Sequence, residues 1–179
     1  MRLLFGFGNK ARHGKDSAAQ AIQDYARRFS LPEVRIFKFA DALYDICRRE
    51  YGMVGKDSPL LQRIGSERRA IQEDYWIDRL KFTIGSFKGI GIITDVRYKN
   101  EAAWIRKNGG ILVNVSRLND DGTAFVAQDR PADHPSEIDL DGYDWDAYIK
   151  TKTGQEALAA EQALTIFNYF LQVTEPVNV

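Results

Sequence analysis

The sequence predicts an α/β fold, a central parallel sheet flanked by helices, from three observations. Short continuous apolar runs recur, at Leu3 to Phe7, Val34 to Phe39, Gly89 to Val96 and Ile111 to Val115. Such runs read as strands covered on both faces. Between them lie stretches whose apolar residues fall three or four apart, the period of a helix packed on one side. Regular alternation of the two implies right-handed crossovers between parallel strands.

The elements follow in order. After the first strand and a glycine-containing bend, Ala19, Ile22, Ala26 and Phe29 mark a helix that starts near Asp16 and stops at Ser30-Leu31-Pro32. Val34 to Phe39 is the second strand. Asp41 is placed to cap a helix carrying Leu43, Ile46, Cys47 and Tyr51. Ser58-Pro59 opens another by cap and first-turn proline, with Leu60, Leu61 and Ile64 inward. The stretch from Asp74 predicts a helix with Trp76, Ile77, Leu80 and Ile84 inward. Gly89 to Val96 is a strand, and Asn100 to Asn108 a helix closed by Gly109-Gly110. Ile111 to Val115 is a strand. Arg117 to Asp141 is rich in Asp, Asn, Gly and Pro and lacks periodicity; a long irregular segment in a compact domain is usually functional or mobile. Tyr143 to Ile149 reads as a last strand and Gly154 to Val173 as a long amphipathic helix.

Length and composition narrow the function classes. A chain of 179 residues, 44% hydrophobic and 28% charged, fits one globular domain, 1–179. Its 25 basic and 25 acidic residues cancel, so no global field favours nucleic acid, and an anion site has to be local. The one cysteine, Cys47, excludes an internal disulfide and a cysteine-cluster metal site. It reads as a small core residue rather than a nucleophile. No apolar run reaches the ~18 residues of a membrane span, and the opening is too short for a secretory leader. A soluble cytoplasmic protein with no membrane partner is expected.

The bend itself, "FGFGNKARHGKDSAAQAI", places Lys10, Arg12, His13 and Lys15 within six residues. A strand, a glycine-containing loop, Gly-Lys and a helix is the phosphate-loop layout. Backbone N–H groups and the helix N-terminus converge on one spot and favour negative charge. Asn9, Lys10, Ala11, His13, Gly14, Lys15, Asp16 and Ser17 are therefore the candidate nucleotide-binding residues. Gly14 admits close backbone approach, and Lys15, expected to lie exposed in the loop, reaches the terminal phosphates. The pattern G-x-x-x-x-G-K-[ST] is broken twice: Asn9 stands at the first glycine, and Asp16 at the hydroxyl residue. Asn tolerates left-handed backbone. Asp16 either binds magnesium, directly or through water, or merely favours the helix N-terminus. His13 is expected to face solvent at the loop tip. Arg12 either covers the transferring phosphate or is a surface charge.

Four further segments point the same way: "FADALYD", "LQRIGSE" ahead of "DYW", "ITDVRYKNE" and "HPSE". With "NKARHGKD" they resemble, in order and over about 150 residues, the motifs of the phage-type deoxynucleoside monophosphate kinases. Those motifs read G-K-A-R-x-G-K-D, F-A-D-P-L-K, L-Q-x-x-G-T-E with D-x-x-W, I-T-D-V-R-x-x-N-E and H-x-S-E. The chain departs at Asn9 and at Ala42, where the family has proline; Ala42 bears on the acceptor pocket. The resemblance implies a P-loop kinase fold with acceptor-binding helices at about 40–85 and a lid at about 117–141. It implies ATP and Mg2+ as cofactors and a deoxynucleoside monophosphate as acceptor. A homodimer is possible, as is a place in the host cytoplasm if the chain is phage-encoded. Rival readings are a kinase of another small phosphorylated metabolite, a ribonucleotide kinase, and a non-catalytic nucleotide-binding regulator.

Roles are assigned with their plainer alternatives. Arg97 fits an acceptor-phosphate clamp, against a surface pair with Glu101. Arg63 is a second clamp candidate, beside Glu67; of Arg68 and Arg69, on different helix faces, at most one enters the site. Asp95 belongs either to the magnesium shell with Asp16 and Ser17 or to an ion pair holding Arg97. Phe39 packs on the acceptor base or finishes its strand; Asp41 bonds the acceptor or caps its helix; Trp76 stacks on a base or, as its spacing favours, lies in the core. Arg117 and Arg130 are the lid cations. His134 to Glu137 read as a structural turn.

Overall fold

A computed structural model describes residues 3–128 and 131–174. Among the described residues the five parallel strands are β1 (Leu3–Gly8), β2 (Val34–Phe37), β3 (Ile90–Val96), β4 (Ile111–Leu118) and β5 (Ala147–Lys152). Their order across the sheet is β2-β3-β1-β4-β5. The helices are α1 (Lys15–Arg28), α2 (Ala40–Tyr51), α3 (Ser58–Ile71), α4 (Tyr75–Ile84), α5 (Lys99–Lys107), α6 (Pro135–Ile138) and α7 (Glu156–Thr174). The α/β class expected from the sequence is the one observed. Among the described residues no helix is long and apolar enough to cross a membrane.

Both faces of the sheet are covered, which is why its strands read as continuous apolar runs. On one face Leu3, Phe5 and Phe7 of β1 pack with Ile22 of α1 and Phe167 of α7. On the other, Leu4, Ile93 and Leu112 meet Trp76, Ile77 and Leu80 of α4 and Ile105 of α5. Gly8 ends β1 beneath the Trp145 ring, which lies 2.3 Å from where a Cβ would stand. Any side chain there would push the loop away from the sheet. Cys47 is buried with Met53, Leu61 and Ile64, in a small core between α2 and α3.

Several boundaries differ from expectation. The second strand stops at Phe37, because the amides of Phe39 and Ala40 turn to the Asp95 carboxylate at 2.9 and 2.8 Å. Asp41 does not cap α2: it lies exposed in the first turn, and Asp95 takes the orphan amides instead. The cap of α3 is Asp57, not Ser58; its carboxylate accepts the Leu60 amide at 2.9 Å. Phe29, expected inward, falls one residue past the end of α1 and is 56% exposed. The last strand begins at Ala147 rather than Tyr143, since Leu140 and Trp145 are drawn into the core from an irregular approach.

Candidate functional site

The loop between β1 and α1 lies at the carboxyl ends of the strands, where open parallel sheets bind ligands. Asn9 (φ 97°), Arg12 (φ 60°) and Gly14 (φ 90°) carry the left-handed backbone that curls it. Asn9 meets the geometry of the missing glycine, and its amide Nδ2 donates to Asn114 Oδ1 at 3.2 Å and the Val115 carbonyl at 3.4 Å. The loop is thereby tied to β4. Ala11 is buried, and Lys10 pairs with Asp141 at 2.9 Å.

Lys15 corrects an expectation. It is not exposed but buried, with Nζ donating to the carbonyls of Asn9 and Lys10. Burial, helped by the nearby Arg97 charge, holds its pKa well below the usual lysine value. A cation already stripped of water and aimed along the loop interior is ready to trade carbonyls for phosphate oxygens.

His13 corrects another. It is not at a solvent-facing tip; it is 5% exposed. Its Nδ1 accepts the Arg117 amide at 3.2 Å, so Nε2 carries the proton and donates to the Phe125 carbonyl at 3.1 Å. Burial lowers its pKa to about 4. The ring is a neutral rivet between the loop and the start of the 117–141 segment. Arg117 lies with its guanidinium 3.5 Å from the Phe125 ring centroid. Its Nε is buried without a hydrogen-bond partner among the described residues. Arg12 is exposed on the loop. Arg130 lies outside the described residues.

Asp16 sits in the first turn of α1, where its Oδ1 accepts Thr94 Oγ1 at 2.6 Å and faces Lys38 Nζ at 2.9 Å. Partial burial pulls its pKa up, but the Thr94 and Lys38 bonds outweigh this and leave it below the ordinary value. It stays ionised, with a largely exposed carboxylate beside exposed Ser17. That donor set suits a hard cation bound mainly through phosphate and water oxygens. Among the described residues no cluster of three His, Cys, Asp or Glu would hold a metal by itself. Asp95 does not fit the metal role: both its oxygens are taken by the amides of Phe39 and Ala40. Nor is it primarily the partner of Arg97. It anchors the start of α2.

Beside the loop opens a cavity of about 280 Å³, walled by α2, α3, the end of β3 and α6. Among the described residues its cations are Lys38, Lys56, Arg69 and Arg97, against the carboxylates of Asp95 and Glu101. Phe39 and Trp76 line it; Trp76 is buried and donates Nε1 to the Gly65 carbonyl at 3.2 Å, so it is both core and wall. Asp41 does not line it. Arg97 pairs with Glu137 at 3.0 Å, not with Glu101, which accepts the amides of Arg97 and Tyr98 at 2.8 and 3.1 Å.

Glu101 is buried and pairs with Arg69, whose guanidinium stacks 3.7 Å above the Tyr98 ring centroid. Burial pushes the Glu101 pKa up to about 7. Arg63 and Glu67 do not reach the cavity; they pair with each other at 3.3 Å on the exposed face of α3. The helical period explains it: Gln62, Ser66 and Arg69 share the cavity face, and a shift of one residue turns a side chain some 100° away. The sequence reading missed Lys38, Thr94 and Glu137. Thr94 and Lys38 stand one residue before Asp95 and Phe39 at two strand ends, a position that was itself a signal. His134 caps α6, accepting the Ser136 amide at 3.2 Å, while Glu137 accepts the Ala11 amide at 2.8 Å.

No protein-family model matches the sequence, and no curated protein matches it. Among solved structures the chain is similar to the APS kinase of Mycobacterium tuberculosis, solved with AMPPNP and APS. The TM-score is 0.52 at 11% identity, over 94% of this chain and 97% of that one. A gluconokinase from Sinorhizobium meliloti 1021 aligns over 96% and 97% of the two chains at 16% identity, with a TM-score of 0.43. The shikimate kinase of Aquifex aeolicus aligns over 94% and 99% at 12% identity, with a TM-score of 0.46. At 11% identity the likeness to the APS kinase is one of fold, an α/β domain with a central parallel sheet flanked by helices.

Proposed function

We propose that the protein transfers the γ-phosphate of ATP to a deoxynucleoside 5′-monophosphate, giving ADP and the deoxynucleoside diphosphate. The observation that carries this reading is the phosphate loop beside a cavity in which Arg69 and Arg97 converge, each held by a buried carboxylate. A neutral acceptor has no need of two guanidinium groups; a phosphate monoester does. The ordered motifs shared with the deoxynucleoside monophosphate kinases favour a nucleotide, and Phe39 and Trp76 supply apolar walls for its base.

In this reading the domain is a single kinase unit. Residues of about 40–85 bind the acceptor, and residues of about 117–141 close over the transfer. Lys15 and the loop amides hold the donor phosphates. Arg97 and Arg69 hold the acceptor phosphate, one of whose oxygens attacks the γ-phosphorus as the bond to the bridging β,γ-oxygen breaks and ADP leaves. The chain supplies position and positive charge, which is most of what such a loose transition state demands. Magnesium, held through Asp16 with Ser17 nearby, would neutralise donor phosphate oxygens. Closure of the 117–141 segment, with Arg117 at its start, excludes water as a competing acceptor.

The test is ATP-dependent turnover across all deoxy- and ribonucleoside monophosphates and a set of non-nucleotide phosphate monoesters. Preference for a deoxynucleotide supports the reading. Preference for a non-nucleotide monoester would transfer the same clamp to another phosphorylated metabolite. Nucleotide binding without turnover of any acceptor would leave a regulator.

A further inference from the structure

We infer that Glu137 is a positioning residue that fixes the acceptor-side Arg97 guanidinium relative to the phosphate loop, an inference that rests on the phosphotransfer reading above. Its side chain is 5% exposed, and its two oxygens go to two different parts of the site. Oε2 accepts the Ala11 amide of the loop at 2.8 Å; Oε1 accepts Arg97 Nη1 at 3.0 Å. One carboxylate therefore spans the crossover of β1–α1 and the end of β3. A buried carboxylate is tolerated only when well paired, so neither contact is dispensable to the other.

The surrounding chain repeats the device at every second residue. Asp139 accepts the Lys99 amide at 2.7 Å, at the start of α5, and Asp141 pairs with Lys10 at 2.9 Å, on the loop. Residues 137, 139 and 141 thus strap the return of the 117–141 segment onto both the donor and the acceptor sides. Electrostatics give Glu137 its particular task. Arg97 and Lys15 are like charges close enough that each disfavours the other. With Glu137 between the loop and the guanidinium, Arg97 is held at the acceptor cavity rather than repelled from the loop. In-line transfer is sensitive to misplacement of about 1 Å, so a group that sets this separation acts on rate without touching substrate.

The experiment compares Glu137→Gln and the control Asp24→Asn with the wild type, on the full chain, using its best monophosphate acceptor. Gln keeps a carbonyl for the Ala11 amide and nearly the same volume, but loses the charge on Arg97. The expected result for Glu137→Gln is a rise in acceptor KM of about tenfold or more, the value of a charge-assisted bond reduced to a neutral one. ATP KM should stay within about twofold, with a thermal midpoint near wild type. Asp24→Asn, which removes an exposed carboxylate paired with Arg27 on α1, should leave acceptor KM unchanged. If Glu137→Gln does not fold, Glu137→Asp serves instead: its arm is too short to hold both the Ala11 amide and Arg97, so acceptor KM should again rise while ATP KM stays within about twofold. An acceptor KM that does not move, or that rises in step with ATP KM, overturns the inference. If instead the wild type turns over no phosphate monoester, the phosphotransfer reading fails and the inference falls with it; a wild type that is active beside an unaffected variant sinks the inference alone.

Discussion

His13 offers a prediction whose size follows from its surroundings. The ring is 5% exposed and spends both nitrogens on backbone groups of the 117–125 region, which fixes it as neutral. In the unfolded chain it titrates near 6.5, and in the folded protein at about 4. Between those values the unfolded chain binds a proton that the folded protein refuses. Stability tied to His13 is therefore complete above pH 6.5 and is lost as pH falls toward 4, by about 3 kcal/mol across the interval.

Glu101 opposes it. Its pKa, raised from 4.5 to about 7, makes the folded state the one that binds a proton, so its contribution to stability declines as pH rises through that window. The wild-type curve should look nearly flat, and a difference measurement is needed. Urea unfolding of wild type and His13→Asn, followed by tryptophan fluorescence from about pH 7.5 to about pH 4.5, isolates the histidine. At the upper end the variant should be less stable by about 1 kcal/mol, the worth of the lost bond to Phe125. That deficit should shrink and reverse as pH falls. Stability curves that stay parallel over the whole range would refute the buried neutral rivet.

Other outcomes are expected. Lys15→Met should lower kcat by about 10³ while leaving the thermal midpoint unchanged or raised, because a desolvated charge is removed; steady-state assay and melting check both, and more than about a tenth of the activity would discredit the loop assignment. Asp95→Asn should cost about 1–3 kcal/mol of stability by orphaning one amide at the start of α2, without changing the magnesium requirement. Asp16→Asn should do the reverse, and a magnesium titration of both variants with parallel melts decides between them. For one base, the deoxynucleotide should beat its ribo counterpart by roughly 10–200-fold, the range of shape-based discrimination, with Phe39 and the Ala40–Leu43 turn as the wall. Ala42 softens that wall, and a ribonucleotide preference for every base would end the deoxynucleotide reading.

The fold was legible because its signals are local. A doubly covered parallel strand must be apolar on both faces, so β1, β3 and β4 announce themselves from composition alone. Boundaries failed where a distant side chain decided them. Nothing within five residues of Phe37 says that β2 will stop there rather than run on to Phe39. The carboxylate that stops it is Asp95, more than fifty residues on and adjacent only once β2 pairs with β3. Asp41 was the reasonable local choice for a cap, and it lost to a residue whose position only the sheet could supply.

The same division runs through the site. The loop was readable because its chemistry is carried by backbone amides and one lysine in a fixed local order. The charged side chains were not, since an arginine near a strand end is a clamp or a surface charge depending on which carboxylate meets it. Arg63 and Arg69 look alike in the sequence, six residues apart on one helix. Arg63 meets Glu67 in solvent, and Arg69 meets a buried Glu101 under the Tyr98 ring at the cavity. What separates them is the position of α3 against β3, which places one helix face, and not the next, over the ends of the strands. Arg69 is held at the cavity because Glu101, stripped of water by burial, needs a cationic partner, and that carboxylate is itself fixed by the amides of Arg97 and Tyr98. Glu101 thereby holds two arginines of the cavity at once: the Arg69 guanidinium through its charge, and the Arg97 backbone through its amide, while Glu137 holds the Arg97 guanidinium. Removing it should therefore disturb the acceptor side as a unit and leave the phosphate loop, which is tied instead to β4 through Asn9 and His13, in place.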